Sequence, residues 1–192
     1  MSAPATSSAS FMRLLRRFRR NRAAAAALEF ALVAPVFLAL LFAILETALM
    51  FFADQVLETV TQQSARMILT GQAQNNNYLP SDFLNKVVCK QIPALFSCAN
   101  ISVDVRSYPS FSTITFSNEI DNQGHFINDV QYNPGGPNCI VVVRVFYPWQ
   151  LFVTGLGYNI SNMANSQRLL VATAAFRNEP FPGNAGATAP CS

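Results

Sequence analysis

The material for chemistry in this 192-residue chain is sparse: one histidine, four cysteines and ten acidic residues. His125 lies in the polar segment "NEIDNQGHFINDV", residues 118–130. Acid–base or nucleophilic catalysis by histidine needs an orienting partner and a nucleophile within reach. The sequence names neither, so His125 reads as a loop residue. Glu119, Asp121, Asn122, Asn128 and Asp129 in the same segment offer the oxygen ligands that calcium takes. The alternating order of an EF-hand loop is absent, however. Pro134-Gly135-Gly136-Pro137 reads as a turn and not as a phosphate-binding loop. No catalytic residue, metal or cofactor is therefore expected, and no enzyme.

Two carboxylates stand where carboxylates are expensive. Glu29 heads an apolar run and Glu46 lies within it, and a charge in hydrocarbon costs several kcal/mol or so. Residues 30–53 carry no other charge. At about 1.5 Å per residue they make roughly 36 Å of helix, enough to cross a hydrocarbon core of about 30 Å. Hydrophobic residues make up 51% of the chain and charged residues 12%, against roughly 25% charged in soluble domains. Pro35 removes one backbone hydrogen bond and is expected to kink the helix. Glu46 has two readings: it reaches the outer headgroups, or it meets a polar group on a partner helix.

Basic residues cluster before this run, at Arg13, Arg16, Arg17, Arg19, Arg20 and Arg22. Residues 54–192 carry seven basic and eight acidic groups, so the body is near neutral. The cluster abuts an apolar run and is read as a topology signal, not a nucleic-acid patch: arginines stay in the cytoplasm and the C-terminal side crosses. A cleaved secretory signal has an apolar core of only about 7–15 residues and a small-residue site after it. Here the run is longer and ends at Phe51 and Phe52. The expected organisation is a cytoplasmic leader 1–24, a membrane helix 25–53 and an outer domain 54–192.

Beyond the membrane the helical stripe continues through Val56, Leu57, Val60, Ser64, Met67 and Ile68, with Gly71 as the stop. The pattern predicts one helix over about 27–70, a loop over 71–80 and a second helix from Ser81 to about Phe96. Strands follow at 101–107, 110–117, 139–147 and 167–177, the third being the most apolar and central. The last segment also fits a helix, but strand is preferred. Tyr147 and Trp149 either pack on the sheet, the preferred reading, or form an exposed contact surface. The fold class is α+β, with a sheet of about four strands covered by the outer helical segments.

Cys89, Cys98, Cys139 and Cys191 all follow the span, in the region assigned to an oxidising periplasm. Their spacings of 9, 41 and 52 contain no CxxC element, which argues against zinc. Of the three pairings open to four cysteines, Cys89–Cys98 and Cys139–Cys191 are favoured.

The stretch "RRFRRNRAAAAALEFALVAPVFLALLFAILE" orders a basic leader, small residues, a glutamate and a long apolar helix. It resembles the signal of type IV pilins, and most closely the TadE-like minor pilins or pseudopilins of tight-adherence (Flp-type) pilus systems. "VVCKQIPALFSCANISVDVRSYPSF" at 87–111 and "AAFRNEPF" at 174–181 are similar to the same family. The resemblance implies cutting by a prepilin peptidase on the cytoplasmic side, with glutamate as the fifth mature residue. Counting back from Glu29 places the cut between Ala24 and Ala25. The family commonly has glycine before the cut; Ala24 is also small. The new amine at Ala25, with a reference pKa near 8, would meet Glu29 of a staggered neighbour and favour correct register. The implied partners are the major Flp-type pilin, a sister TadE/TadF-type minor pilin, the peptidase and the inner-membrane assembly platform. The alternative is an uncleaved, single-pass periplasmic binding or scaffold protein, in which Glu29 only complements the helix dipole.

Overall fold

A computed structural model of the chain describes residues 22–153, 158–182 and Cys191. Two compact units follow one another, Met1–Leu45 and Glu46–Ser192. Helix α1, Arg22–Leu69, runs through both, with Pro35 inside it. In the first unit the described side chains, 25–45, are exposed or half-buried around the whole helix. The exposed set includes Leu28, Phe30, Leu32, Val36, Phe37 and Leu41. A helix apolar on every side finds its complement in lipid or in other helices.

At Glu46 the burial pattern changes. Glu46, Met50, Ala53, Leu57, Val60, Thr61, Ser64, Ala65 and Ile68 are buried. Their steps of three and four residues trace one helical stripe, the side that covers the sheet. The helix ends at Leu69, and Gly71 follows in the left-handed region at φ 76°. A Cβ at Gly71 would lie 2.4 Å from Phe181 Cγ, so glycine is required there by conformation and by packing. A short α-helix, Gln72–Asn75, interrupts the expected loop. The second helical stretch runs as an α-turn Pro80–Asp82, a π-helical segment Phe83–Val88 and an α-turn Cys89–Gln91. It stops before Pro93 and so is shorter than expected, because the residue before proline leaves the helical region. Phe83, Val87 and Val88 point into the core.

The sheet has three antiparallel strands in the order β1 (Ser102–Tyr108), β2 (Ile140–Gln150) and β3 (Gln167–Arg177). β2 is central, as its apolar sequence implies. The count of four is corrected, because 110–117 is not a strand: it holds a 3-10 turn, Phe111–Thr113, and then irregular chain. Its alternation of Ser and Thr with Phe and Ile imitates the period of a strand. The place beside β1 is taken instead by Gln131–Asn133. Val105 N–H donates to Gln131 O at 2.8 Å and Asn133 N–H to Val105 O at 2.7 Å. One face of the sheet carries Val105, Val141, Val143, Val145, Tyr147, Leu170 and Ala172 into the core. Tyr147 and Trp149 pack there against Phe96, with ring centroids 4.9 and 6.1 Å away.

The described cysteines pair as Cys89–Cys98, Cα–Cα 5.7 Å, and Cys139–Cys191, Cα–Cα 5.4 Å. The first ties the second helical stretch to the start of the sheet. The second ties the C-terminal end to the residue before β2.

Candidate functional site

Glu29 lies exposed on α1, in the unit whose apolar side chains find no cover among the described residues. Ala25 is exposed one turn earlier. Ala24 and Arg22 belong to the helix by backbone, but their side chains lie outside the described residues, as do Arg13, Arg16, Arg17, Arg19 and Arg20 altogether. The structure thus presents a carboxylate near one end of an apolar rod. The rod is one candidate span, Ala25–Leu69, whose most apolar window has a mean hydropathy of 2.6.

Glu46 is placed differently from either expectation. It is buried, and its carboxylate accepts from backbone N–H groups of the loop after β2. Phe152 N–H donates to Oε1, and Val153 N–H donates to Oε1 at 3.1 Å and Oε2 at 3.0 Å. The neighbouring Thr47 hydroxyl bonds the Tyr158 hydroxyl. Consecutive residues of α1 therefore hold the stretch that leaves the sheet. The carboxylate gives these part-buried N–H groups a charged acceptor. Nothing local in the sequence links Glu46 to a loop more than 100 residues away.

The other acidic residues divide among separate tasks. Asp104 and Arg144 sit opposite each other on the face of the sheet turned away from the core. Arg144 Nη2 donates to Asp104 Oδ2 at 2.7 Å, and its Nη1 donates to Glu119. Its guanidinium lies 5.5 Å from the Phe116 ring and 5.2 Å from the Phe146 ring. Arg106 Nε donates to Asp104 at 3.0 Å, and Gln131 N–H donates to Asp104 Oδ1 at 2.8 Å. Segment 116–131 is thereby fastened over the outer face. Asp121 accepts from the backbone N–H groups of His125 at 2.7 Å and Gln123 at 2.9 Å. The bond from His125 N–H, above all, holds the Asp121 carboxyl below its ordinary value, against a smaller opposing effect of burial. Asp129 faces Arg106 at 3.6 Å. Glu119, Asp121 and Asp129 thus act as fasteners of one loop. Among the described residues no group of three or more His, Cys, Asp or Glu gathers as metal ligands.

The segment "AAFRNEPF" also acquires a physical role. Asn178 Nδ2 donates to Pro134 O and Gly136 O, each at 2.9 Å. Gln74 Nε2 donates to Pro134 O at 3.1 Å from the helical side. Glu179 N–H donates to Leu69 O at 3.0 Å, beside the Phe181 ring on Gly71. The turn at Pro134–Gly136 and the end of α1 are locked by the residues that follow β3.

No curated protein and no solved structure gives a significant match to the chain. One family model does match, TadE, described as TadE-like protein, over residues 24–66. The match begins at the third residue of α1 and covers Glu29, Glu46 and most of the buried stripe, and over this segment the chain is similar to TadE-like proteins.

Proposed function

We propose that this chain is a minor pilin, or pseudopilin, that takes part in assembly of a tight-adherence (Flp-type) pilus. A prepilin peptidase removes the leader between Ala24 and Ala25. The N-terminus stays in the cytoplasm, α1 crosses the inner membrane and the α+β unit lies in the periplasm. The partners are the major Flp-type pilin, a sister TadE/TadF-type minor pilin and the inner-membrane assembly platform. The role is mechanical, without turnover.

The observation that carries this reading is the exposed Glu29 near the start of an uncovered apolar helix, inside the segment that matches the TadE family. In an isolated anchor a carboxylate at that place serves only the helix dipole, a gain of about 0.3–1 kcal/mol. In a staggered bundle of parallel helices it meets the new amine of a neighbour. Each charge is costly alone in a dry environment and tolerable as a pair. The helices also lose their exposed apolar surface to one another when they leave the bilayer.

The test is Glu29→Gln and Glu29→Ala, scored for membrane insertion and for co-purification with sheared pili or with the assembly platform. Normal insertion with lost co-assembly is the expected result. Unchanged co-assembly removes the register role of Glu29 and favours an anchored periplasmic scaffold.

A further inference from the structure

The two edges of the sheet differ. Along β1 the chain covers itself, through Gln131 and Asn133 on Val105. Along β3 the cover is confined to the two ends. Asn178 N–H donates to Cys139 O at 2.8 Å across the β2–β3 pair, so the even-numbered residues of β3 bond to β2 and the odd-numbered ones face away. At one end Leu169 N–H donates to Asn162 Oδ1 at 2.8 Å, and Met163 N–H donates to Gln167 O at 3.1 Å. At the other end Glu179 N–H donates to Leu69 O at 3.0 Å. Between them, the outward N–H and C=O groups of Val171, Thr173, Ala175 and Arg177 have no partner among the described residues, and all four residues are exposed. Natural edges are blunted by charge, proline or bulges. The stretch "LVATAAF", 170–176, has no charge and no proline, and its register on β2 is unbroken. Beside this edge lies a cleft of about 400 Å³ between β3 and α1, lined by Gln62, Ala65, Arg66 and Leu69 and by residues 173–176. Arg66 is the charged residue of that lining; it is exposed and makes no ion pair among the described residues.

We infer that the open edge of β3 is a docking site for an extended segment of a partner protein, which adds as a strand along residues 171–177 and lays an acidic side chain against Arg66. The unpaired backbone row names a strand as the occupant: main-chain hydrogen bonds supply the binding, and alternate side chains supply the choice. Side chains of an added strand alternate between its two sides, so one set enters the cleft. Ala65, Leu69 and Phe176 offer that set apolar walls, and Arg66 offers a cation. A carboxylate flanked by apolar residues at alternate positions matches both. A second copy of β3 does not, because it carries Arg168 and Arg177 and no acidic residue. Self-pairing would bring cations to a cleft that is already basic. Every residue of the site lies in the second unit, and the inference does not depend on the pilus reading.

The test follows hydrogen exchange of backbone amides in the full chain in detergent micelles. The probe is the capped peptide Ser-Val-Thr-Glu-Thr-Val-Ser at millimolar concentration, beside a second peptide with lysine in place of glutamate. The amides of Val171, Thr173 and Ala175 are expected to exchange fast in the free chain and to slow about fivefold or more with the glutamate peptide. The lysine peptide should have a much smaller effect. N-methylation of one alternate set of peptide amides should abolish the slowing, and methylation of the other set should spare it, because only alternate residues bond across a strand pair. Ala175→Pro removes an outward N–H that takes no part in the β2–β3 pairing and should abolish the slowing. Where that variant fails to fold, Arg66→Glu on the exposed side of α1 serves instead and should turn the preference towards the lysine peptide. Amides already slow in the free chain at every dilution would mean a covered edge and overturn the inference. Slowing that grows with protein concentration alone would name a second copy as the occupant and overturn it too. An equal response to the two peptides, or none to either, would also overturn it.

Discussion

Asp104 and Arg144 face each other across the β1–β2 pair, with Arg144 Nη2 2.7 Å from Asp104 Oδ2 and both side chains almost fully buried. This pair is the hub that fastens segment 116–131 to the outer face of the sheet, through Glu119, Phe116 and Gln131. A buried pair of this kind is a device for specificity more than for net stability. Its desolvation offsets much of its attraction. Removing one partner is another matter, because the other charge stays buried alone. Asp104→Ala or Arg144→Ala is expected to cost about 3–5 kcal/mol. Urea unfolding of the full chain in detergent measures this. A loss below about 1 kcal/mol, the scale of an exposed pair, would show the network to be ornamental.

Tyr132 gives the opposite expectation. Its hydroxyl is buried with no hydrogen-bond partner among the described residues, while its ring packs 5.5 Å from that of Phe83. Tyr132→Phe keeps the ring and deletes the orphan hydroxyl, so stability is expected to hold or rise by up to about 1–2 kcal/mol. Burial pushes the phenol's pKa above its ordinary value of 10.0. The folded state therefore keeps the proton longer than the unfolded state. The contribution is fully present below the unfolded value and is lost as pH rises beyond it. Thermal unfolding followed from about pH 9 to pH 11 should decline more steeply in the unsubstituted chain than in Tyr132→Phe. Parallel curves would contradict the burial of this group.

The Cys139–Cys191 bridge closes a span of 52 residues and holds the C-terminal end beside the first residues of β2. The loop-closure argument gives about 4 kcal/mol for such a length, against about 3 kcal/mol for a loop the size of Cys89–Cys98. The double change Cys139→Ser with Cys191→Ser should lower the urea midpoint more than Cys89→Ser with Cys98→Ser does. The reverse order would mean that strain or residual structure in the unfolded chain outweighs loop length.

Gly71 combines a positive φ with a Cβ position occupied by Phe181. Gly71→Ala is expected to destabilise by about 1–3 kcal/mol. Combining it with Phe181→Ala should recover the steric part and leave the conformational part. Simple additivity of the two changes would show that they do not act through one contact.

The elements that depend on local periodicity were legible in the sequence. The apolar stretch of α1, its stop near Gly71, the alternation of β1 and the run of β2 each state their period within a few residues. Segment 110–117 was misread because alternation is necessary for a strand but does not supply a partner. The edge of β1 was claimed by Gln131–Asn133, a choice made by Asp104 and the Val105 backbone. The roles of Glu46, Asn178 and Gln74 were out of reach for a related reason. Each bonds to backbone groups far along the chain, and a backbone N–H or carbonyl has no sequence signature. Glu119 and Asp129 were weighed as oxygen ligands for calcium and set aside; their partners, Arg144 and Arg106, lie too far along the chain for the spacing to announce them.

The central claim is that this helix is a pilin-type assembly element with a trimmed start. The direct measurement is the N-terminal peptide of the membrane-extracted protein by mass spectrometry, from cells with and without their prepilin peptidase. The expected result is a peptidase-dependent start at Ala25, four residues before Glu29. A chain that still carries its arginine-rich leader, in cells that make pili normally, would contradict it.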